Sequence, residues 1–182
     1  MAKETWVLDP THSALGFRIK HLMISTVSGQ FNQFSASVET EGDDFATAKV
    51  HFQAAVSSIS TNNEQRDAHL KAGDFFDAEK YPDIVFEGEK MEKTGDDEYK
   101  LHGTITMRGV SKKLVLNVEF GGITKDPWGN TRTGFSVTGK INRQDYGMSF
   151  GAVSETGGLL LGDEVKVNAS VQFVKQAVAQ AA

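Results

Sequence analysis

Apolar and polar residues alternate with a period of two along most of the chain. Leu15, Phe17 and Ile19 point one way, Arg18 and Lys20 the other. Val50, Phe52, Ala54 and Val56 alternate with Lys49, His51, Gln53 and Ala55. Ile84 and Phe86 open a further short run, and Tyr99, Leu101, Ile105 and Met107 alternate with Lys100, His102, Thr104, Thr106 and Arg108. The same rhythm returns at Leu114–Phe120, Phe135–Ile141 and Val165–Phe173. One apolar and one polar face per run is the mark of antiparallel strands half exposed to water. The phase slips once: Phe31 is followed by Phe34, Ala36 and Val38, which predicts a β-bulge near Asn32–Gln33. Gly16, Gly103 and Gly139 are read as inward positions where a wall bends or the interior stays open. The runs amount to about eight strands, enough to close into an all-β antiparallel barrel and remove exposed edges. No linker or repeat interrupts residues 1–182, so a single domain is expected.

Two segments break the rhythm. Thr61 with Glu64 reads as a capping box, helix formers run from Gln65 to Ala72, and Gly73 is the expected stop. Asp74–Asp77 reads as a second short helical turn before Tyr81–Pro82, giving one or two short helices in all. From Asn142 to Glu164, Met148, Phe150 and Leu159–Leu161 are mixed with five glycines. Apolar side chains on so loose a backbone predict a mobile cover over one barrel end.

Composition narrows the function. Twelve Phe against two Trp and three Tyr suit a dry interior, because Phe carries no polar atom to satisfy. Eighteen Gly against three Pro suit turns and barrel corners. A net charge of −5 with no basic stripe argues against nucleic acid. The absence of Cys removes disulfides, thiolate catalysis and Cys-based zinc sites. No apolar stretch reaches membrane-spanning length. Residues 1–6 lack a charged region followed by an apolar run, so a cytoplasmic protein is expected, or a periplasmic one if a leader has been removed.

Several motifs are then familiar in their order. Trp6-Val7-Leu8-Asp9-Pro10-Thr11-His12-Ser13 leads into a strand ending at His21-Leu22. Ile59-Ser60-Thr61 precedes Arg66-Asp67, His69-Leu70, Asp74-Phe75-Phe76-Asp77 and Tyr81-Pro82. Gly103–Gly109, Gly134-Phe135 and Ile141-Asn142-Arg143 with Asp145-Tyr146-Gly147-Met148 follow. Across almost its whole length the chain resembles the YceI-like family of polyisoprenoid-binding proteins. The resemblance implies a lipocalin-like barrel extended by helices, an apolar channel for an isoprenoid or long-chain amphiphile, and a homodimer. Many members are similar to periplasmic proteins with a signal peptide, whereas this chain starts at the mature-like Trp6 segment.

The leading expectation is therefore non-catalytic binding, transport or storage of a long-chain isoprenoid or similar lipid, with no cofactor and no metal. Alternation alone fits a filled interior as well as a hollow one; the resemblance implies the channel. Its expected lining is Phe17, Ile19, His21, Phe31, Phe52, Ala54, Phe86, Leu101, Ile105, Leu116, Phe135, Val137, Met148 and Phe173. Arg108 or Arg143 is the expected partner of a phosphate or carboxylate head at the mouth. Two alternatives remain. Asp9, His12 and Ser13 hold the residue types of a hydrolase triad, although residues this close usually tie down a turn. A ligand-free structural or stress-related interaction module would fill its barrel with the same Phe residues. Arg66, Asp67 and His69 are read as anchors of the helix over one barrel end rather than a charged site, His51 and His102 as solvated, and His21 as a barrel-end residue. The five His show no metal spacing.

Overall fold

A computed structural model of the chain describes residues 2–22, 24–151 and 161–177. The alternating runs become strands: β1 (Lys3–Leu8), β2 (Ala14–His21), β3 (Ser25–Phe31), β4 (Phe34–Glu41), β5 (Asp44–Ala55), β6 (Ile59–Ser60), β7 (Asp83–Lys93), β8 (Glu98–Met107), β9 (Val110–Lys125), β10 (Thr131–Asn142) and β11 (Leu161–Lys175). They pair antiparallel in the order β1-β4-β5-β7-β8-β9-β10-β11, and β11 returns to β1 through Trp6–Lys175, Val7–Val174 and Leu8–Phe173. The result is a closed eight-stranded antiparallel barrel.

Three short strands, β2, β3 and β6, carry the wall further at one end. β2 pairs with the first part of β11 from His21–Leu161 to Ala14–Ser170, so β1 and β2 share one neighbour across the corner at Asp9–Ser13. β3 and β4 likewise meet at Asn32–Gln33, where the phase slip was read as a bulge. It is a break between two strands, and it interlocks with the next break: Ala55 N donates to Gln33 O at 2.9 Å and Asn32 N to Ser58 O at 3.1 Å. Backbone groups of each interruption thus bond to those of its neighbour.

β6 leads into α1 (Glu64–Lys71). The cap is Asn63, whose Oδ1 accepts from Arg66 N at 3.0 Å, rather than Thr61 of the expected capping box. Thr61 is instead held by the Asp67 carboxylate, which accepts from its N and Oγ1 at 2.8 and 2.6 Å. The helix closes at Ala72, one residue before Gly73. Asp74–Asp77 forms no second helix. Phe76 N and Ala78 N bond back to Leu70 O and Lys71 O, folding this segment onto the end of α1.

The two halves of the interior differ. In one, Trp6 is fully buried with Nε1 donating to Thr40 Oγ1 at 3.1 Å. Its ring lies 5.2 Å from Phe45, which in turn lies 5.3 Å from Phe120 and 5.1 Å from Phe135; Phe173 completes the plug at 6.1 Å from Phe135. Two inward glycines are filled over by neighbours: a Cβ on Gly103 would come 2.6 Å from the tip of Phe86, and one on Gly139 would strike Leu116. Gly16 differs from its expected inward phase. It stands opposite Asn168, whose amide would meet its Cβ at 3.5 Å.

Outside the wall, Arg132 on β10 binds two carboxylates. Its Nε donates to Asp126 Oδ2 at 2.7 Å in the β9–β10 turn, and its Nη1 to Asp9 Oδ2 at 2.8 Å at the β1–β2 corner. This pairing spans β11 beside the closing seam. Arg132 holds the Asp9 carboxyl well below the usual range, with Thr11 and His12 adding to it, and holds Asp126 at about 2. Both folded values lie below the unfolded ones, so their stabilisation is present above the ordinary carboxylate value of 3.8 and is lost as pH falls through the folded values. Arg132→Met is expected to lower the thermal midpoint at neutral pH. Its midpoint should also fall less steeply than that of the unchanged protein between pH 3.8 and about 2. Parallel acid profiles would show that Arg132 does not couple to these carboxylates.

Candidate functional site

The other half of the barrel is hollow. A cavity of about 330 Å³ opens there, at the lower end of the roughly 300–1,000 Å³ found for small-molecule sites. β2 contributes Leu15, Phe17, Ile19 and His21, with Val27 and Phe31 from β3 and Phe52 and Ala54 from β5. Ile84, Ile105, Met107, Ile141, Leu161, Val165 and Val167 continue the wall around β7, β8, β10 and β11. α1 and its following turn supply Arg66, His69, Leu70, Phe75 and Phe76. The inward residues of β2 are only half-buried, unlike those facing the aromatic plug, because open space lies in front of them.

Of the expected lining, Phe17, Ile19, His21, Phe31, Phe52, Ala54, Ile105 and Met148 face this cavity. The others do not. Phe135 and Phe173 belong to the plug, Phe86 and Leu116 fill the space over Gly103 and Gly139, Leu101 packs against Gly88, and Val137 packs against the core. All have the correct inward phase but lie elsewhere along the barrel axis. The sequence did not place the aromatic pair Phe75-Phe76 in the lining; with Phe150 of the expected cover, they close in from outside the strands. The signal was two adjacent Phe beside the helix stop, where no strand alternation accounts for them.

Neither arginine expected at the head group is available there. Arg143 is 2% exposed. Its Nε donates to Gly162 O at 2.8 Å, Nη1 to Met148 O at 2.6 Å and Phe150 O at 2.7 Å, and Nη2 to Leu161 O at 3.2 Å. Burial pushes its pKa down, with Asp163 at 3.9 Å opposing. The guanidinium fork clamps residues 143–151 to the start of β11, and so presents Met148 and Phe150 to the cavity. Arg108 lies away from the lining; it sits in the β8–β9 turn at φ 52° and donates to Gly73 O at 2.8 Å. Of the expected cover, residues 152–160 lie outside the described residues. Of its described parts, Asn142 to Gly151 is held by the Arg143 clamp and residues 161–164 belong to β11.

His69 stands between Phe75 and Phe150, edge-on at 5.0 and 4.6 Å, with Nε2 3.0 Å from Asp74 Oδ2. His51 bonds Glu87, and His102 lies 3.3 Å from Glu92, both with exposed side chains. No group of three His, Asp or Glu suited to a metal occurs among the described residues. At the β1–β2 corner, His12 Nδ1 meets Asp9 Oδ2 at 2.8 Å. Ser13 Oγ, however, donates to the Asp9 main-chain oxygen at 2.7 Å and accepts from Gln172 N at 3.0 Å. Its hydroxyl stitches the corner to β11 and makes no bond to His12, the contact a nucleophile needs.

The YceI-like domain matches residues 6–173. A UPF0312 protein of Staphylococcus aureus strain N315 is 44% identical over 169 residues, covering 92% of this chain and 96% of that protein. The Campylobacter jejuni YceI protein, known from a crystal structure, is 37% identical with a TM-score of 0.76, over 87% of this chain and 90% of its own. A polyisoprenoid binding domain from Saccharophagus degradans, at 17% identity and a TM-score of 0.68 over 94% and 98% of the two chains, shares the fold.

Removing Arg143 would strand the carbonyls of Met148, Phe150, Leu161 and Gly162. Arg143→Met is expected to lower the unfolding free energy by about 3 kcal/mol in a urea titration. A loss below about 1 kcal/mol would mean that these carbonyls find other partners and that Arg143 is not the clamp.

Proposed function

Because the chain belongs to the YceI-like family, we propose that it holds a long apolar molecule of isoprenoid or similar amphiphilic type, carrying or storing it without chemical change. The observation that carries this reading is the half-empty barrel. Its hollow end is walled almost wholly by aliphatic and aromatic side chains, while the opposite end is plugged by Trp6, Phe45, Phe120, Phe135 and Phe173. A cavity lined in this way leaves apolar surface that a chain can cover. Burial contributes about 0.8 kcal/mol per methylene, so affinity should rise with chain length until the plug is reached. The Saccharophagus degradans neighbour is a polyisoprenoid binding domain, which agrees with this ligand class. Homodimer formation belongs to the same proposal and is tested by sedimentation over a range of concentrations.

Mass spectrometry of organic extracts from the purified protein is the direct experiment, with a stoichiometric long-chain lipid as the expected result. Ala54 is 1% exposed and faces the cavity beside Phe52. Ala54→Trp should therefore weaken binding of an added C15 or longer chain by tenfold or more, about 1.4 kcal/mol, without unfolding the barrel. Clean extracts, together with unchanged affinity in a folded Ala54→Trp variant, would defeat the proposal.

A further inference from the structure

We propose that Arg66 receives the head group of the bound chain and that this head group is anionic, a carboxylate or a phosphate monoester. The inference rests on the cavity being a site for a long apolar chain. Arg66, His69 and Leu70 on α1 all line the cavity, and Arg66 is exposed, so it stands where cavity meets solvent. Its guanidinium is fixed on one side only. Nε donates to Thr61 Oγ1 and Nη2 to Thr61 O, both at 2.7 Å. Thr61 is 5% exposed and is itself locked by the Asp67 carboxylate through two bonds.

Asp67 therefore acts on Arg66 through Thr61 and does not neutralise it. No ion pair to Arg66 forms among the described residues. Among the described residues, Nη1 meets no partner for either hydrogen, and Nη2 keeps one free. Such a pair of adjacent N–H groups suits the two oxygens of an anionic head. The other arginine of the lining, Arg143, is engaged by four carbonyls. Because Thr61 already orients the guanidinium, little side-chain freedom remains to be lost when an anion docks. A chain whose anionic end sits at Arg66 would run inward along Phe17, Phe31 and Phe52, away from water.

The test titrates the full chain calorimetrically with three probes that share one prenyl tail: farnesol, farnesoic acid and farnesyl monophosphate. At least one anion should bind about tenfold tighter than farnesol, and added salt should narrow the gap because Arg66 is exposed. In Arg66→Gln the anions should fall to the farnesol level while farnesol affinity is unchanged, which also reports an intact cavity. Arg66→Lys should restore part of the preference. Equal binding of farnesol and both anions by the unchanged protein would overturn the head-group assignment while leaving the chain-binding reading standing. So would an anion preference that survives in Arg66→Gln. Binding of none of the three would overturn both.

Discussion

Closure of the barrel constrains everything else. Once β1 pairs with β11, the strand number sets an interior volume that side chains may fill or leave open. The ring has no edge to adjust, so a shortage of side-chain volume remains as a hole rather than being relieved by collapse. In this chain the large inward residues are unevenly placed along the axis. Trp6, Phe45, Phe120, Phe135 and Phe173 converge at one end, whereas at the other Phe17, Phe31 and Phe52 stand among aliphatic side chains and the smaller Ala54 around an open space.

The open end is also built differently. Three of the eight staves are interrupted, at Asp9–Ser13, Asn32–Gln33 and Val56–Ser58, and continue there as β2, β3 and β6. The breaks at Asn32–Gln33 and Val56–Ser58 bond to each other's backbone, and Asp9 at the first corner bonds to Gln172 of β11. Two non-strand elements then border the cavity. α1 is tied to the wall through Thr61 and Asp67, and the 143–151 turn is tied to β11 by Arg143. His69, Phe75 and Phe150 bring these two elements into contact. No helix among the described residues is long and apolar enough to cross a membrane, and the apolar surface that matters here is internal.

The wall was legible in the sequence because strand alternation is a local property. The inward phase of Phe17, Phe52 and Ile105 follows from their neighbours alone. Position along the barrel axis is not local. Phe135 and Phe52 carry the same phase, yet one fills the plug and the other lines the cavity, since stagger between strands decides which residues share a layer. The arginines were misplaced for a similar reason. An Arg near a barrel mouth suggests an anion, but Arg143 meets the carbonyls of a turn whose path the sequence does not reveal. Arg66 was read as an anchor from its place in the helix. The division of labour, with Asp67 holding Thr61 and Thr61 holding Arg66, required the three-dimensional contact. The helix start was missed by two residues because Thr61 and Asn63 are both good caps, and Thr61 was already engaged elsewhere.

A hollow end that accepts a chain while the plugged end does not is most directly tested by methyl NMR during titration with geranylgeraniol. Ile84, Ile105 and Ile141 line the cavity, whereas Val38, Val118 and Leu101 are buried outside its lining. Large shifts confined to the three isoleucines and their neighbours are the expected result. Equal shifts in both sets, or none in the first, would contradict a chain bound in this cavity.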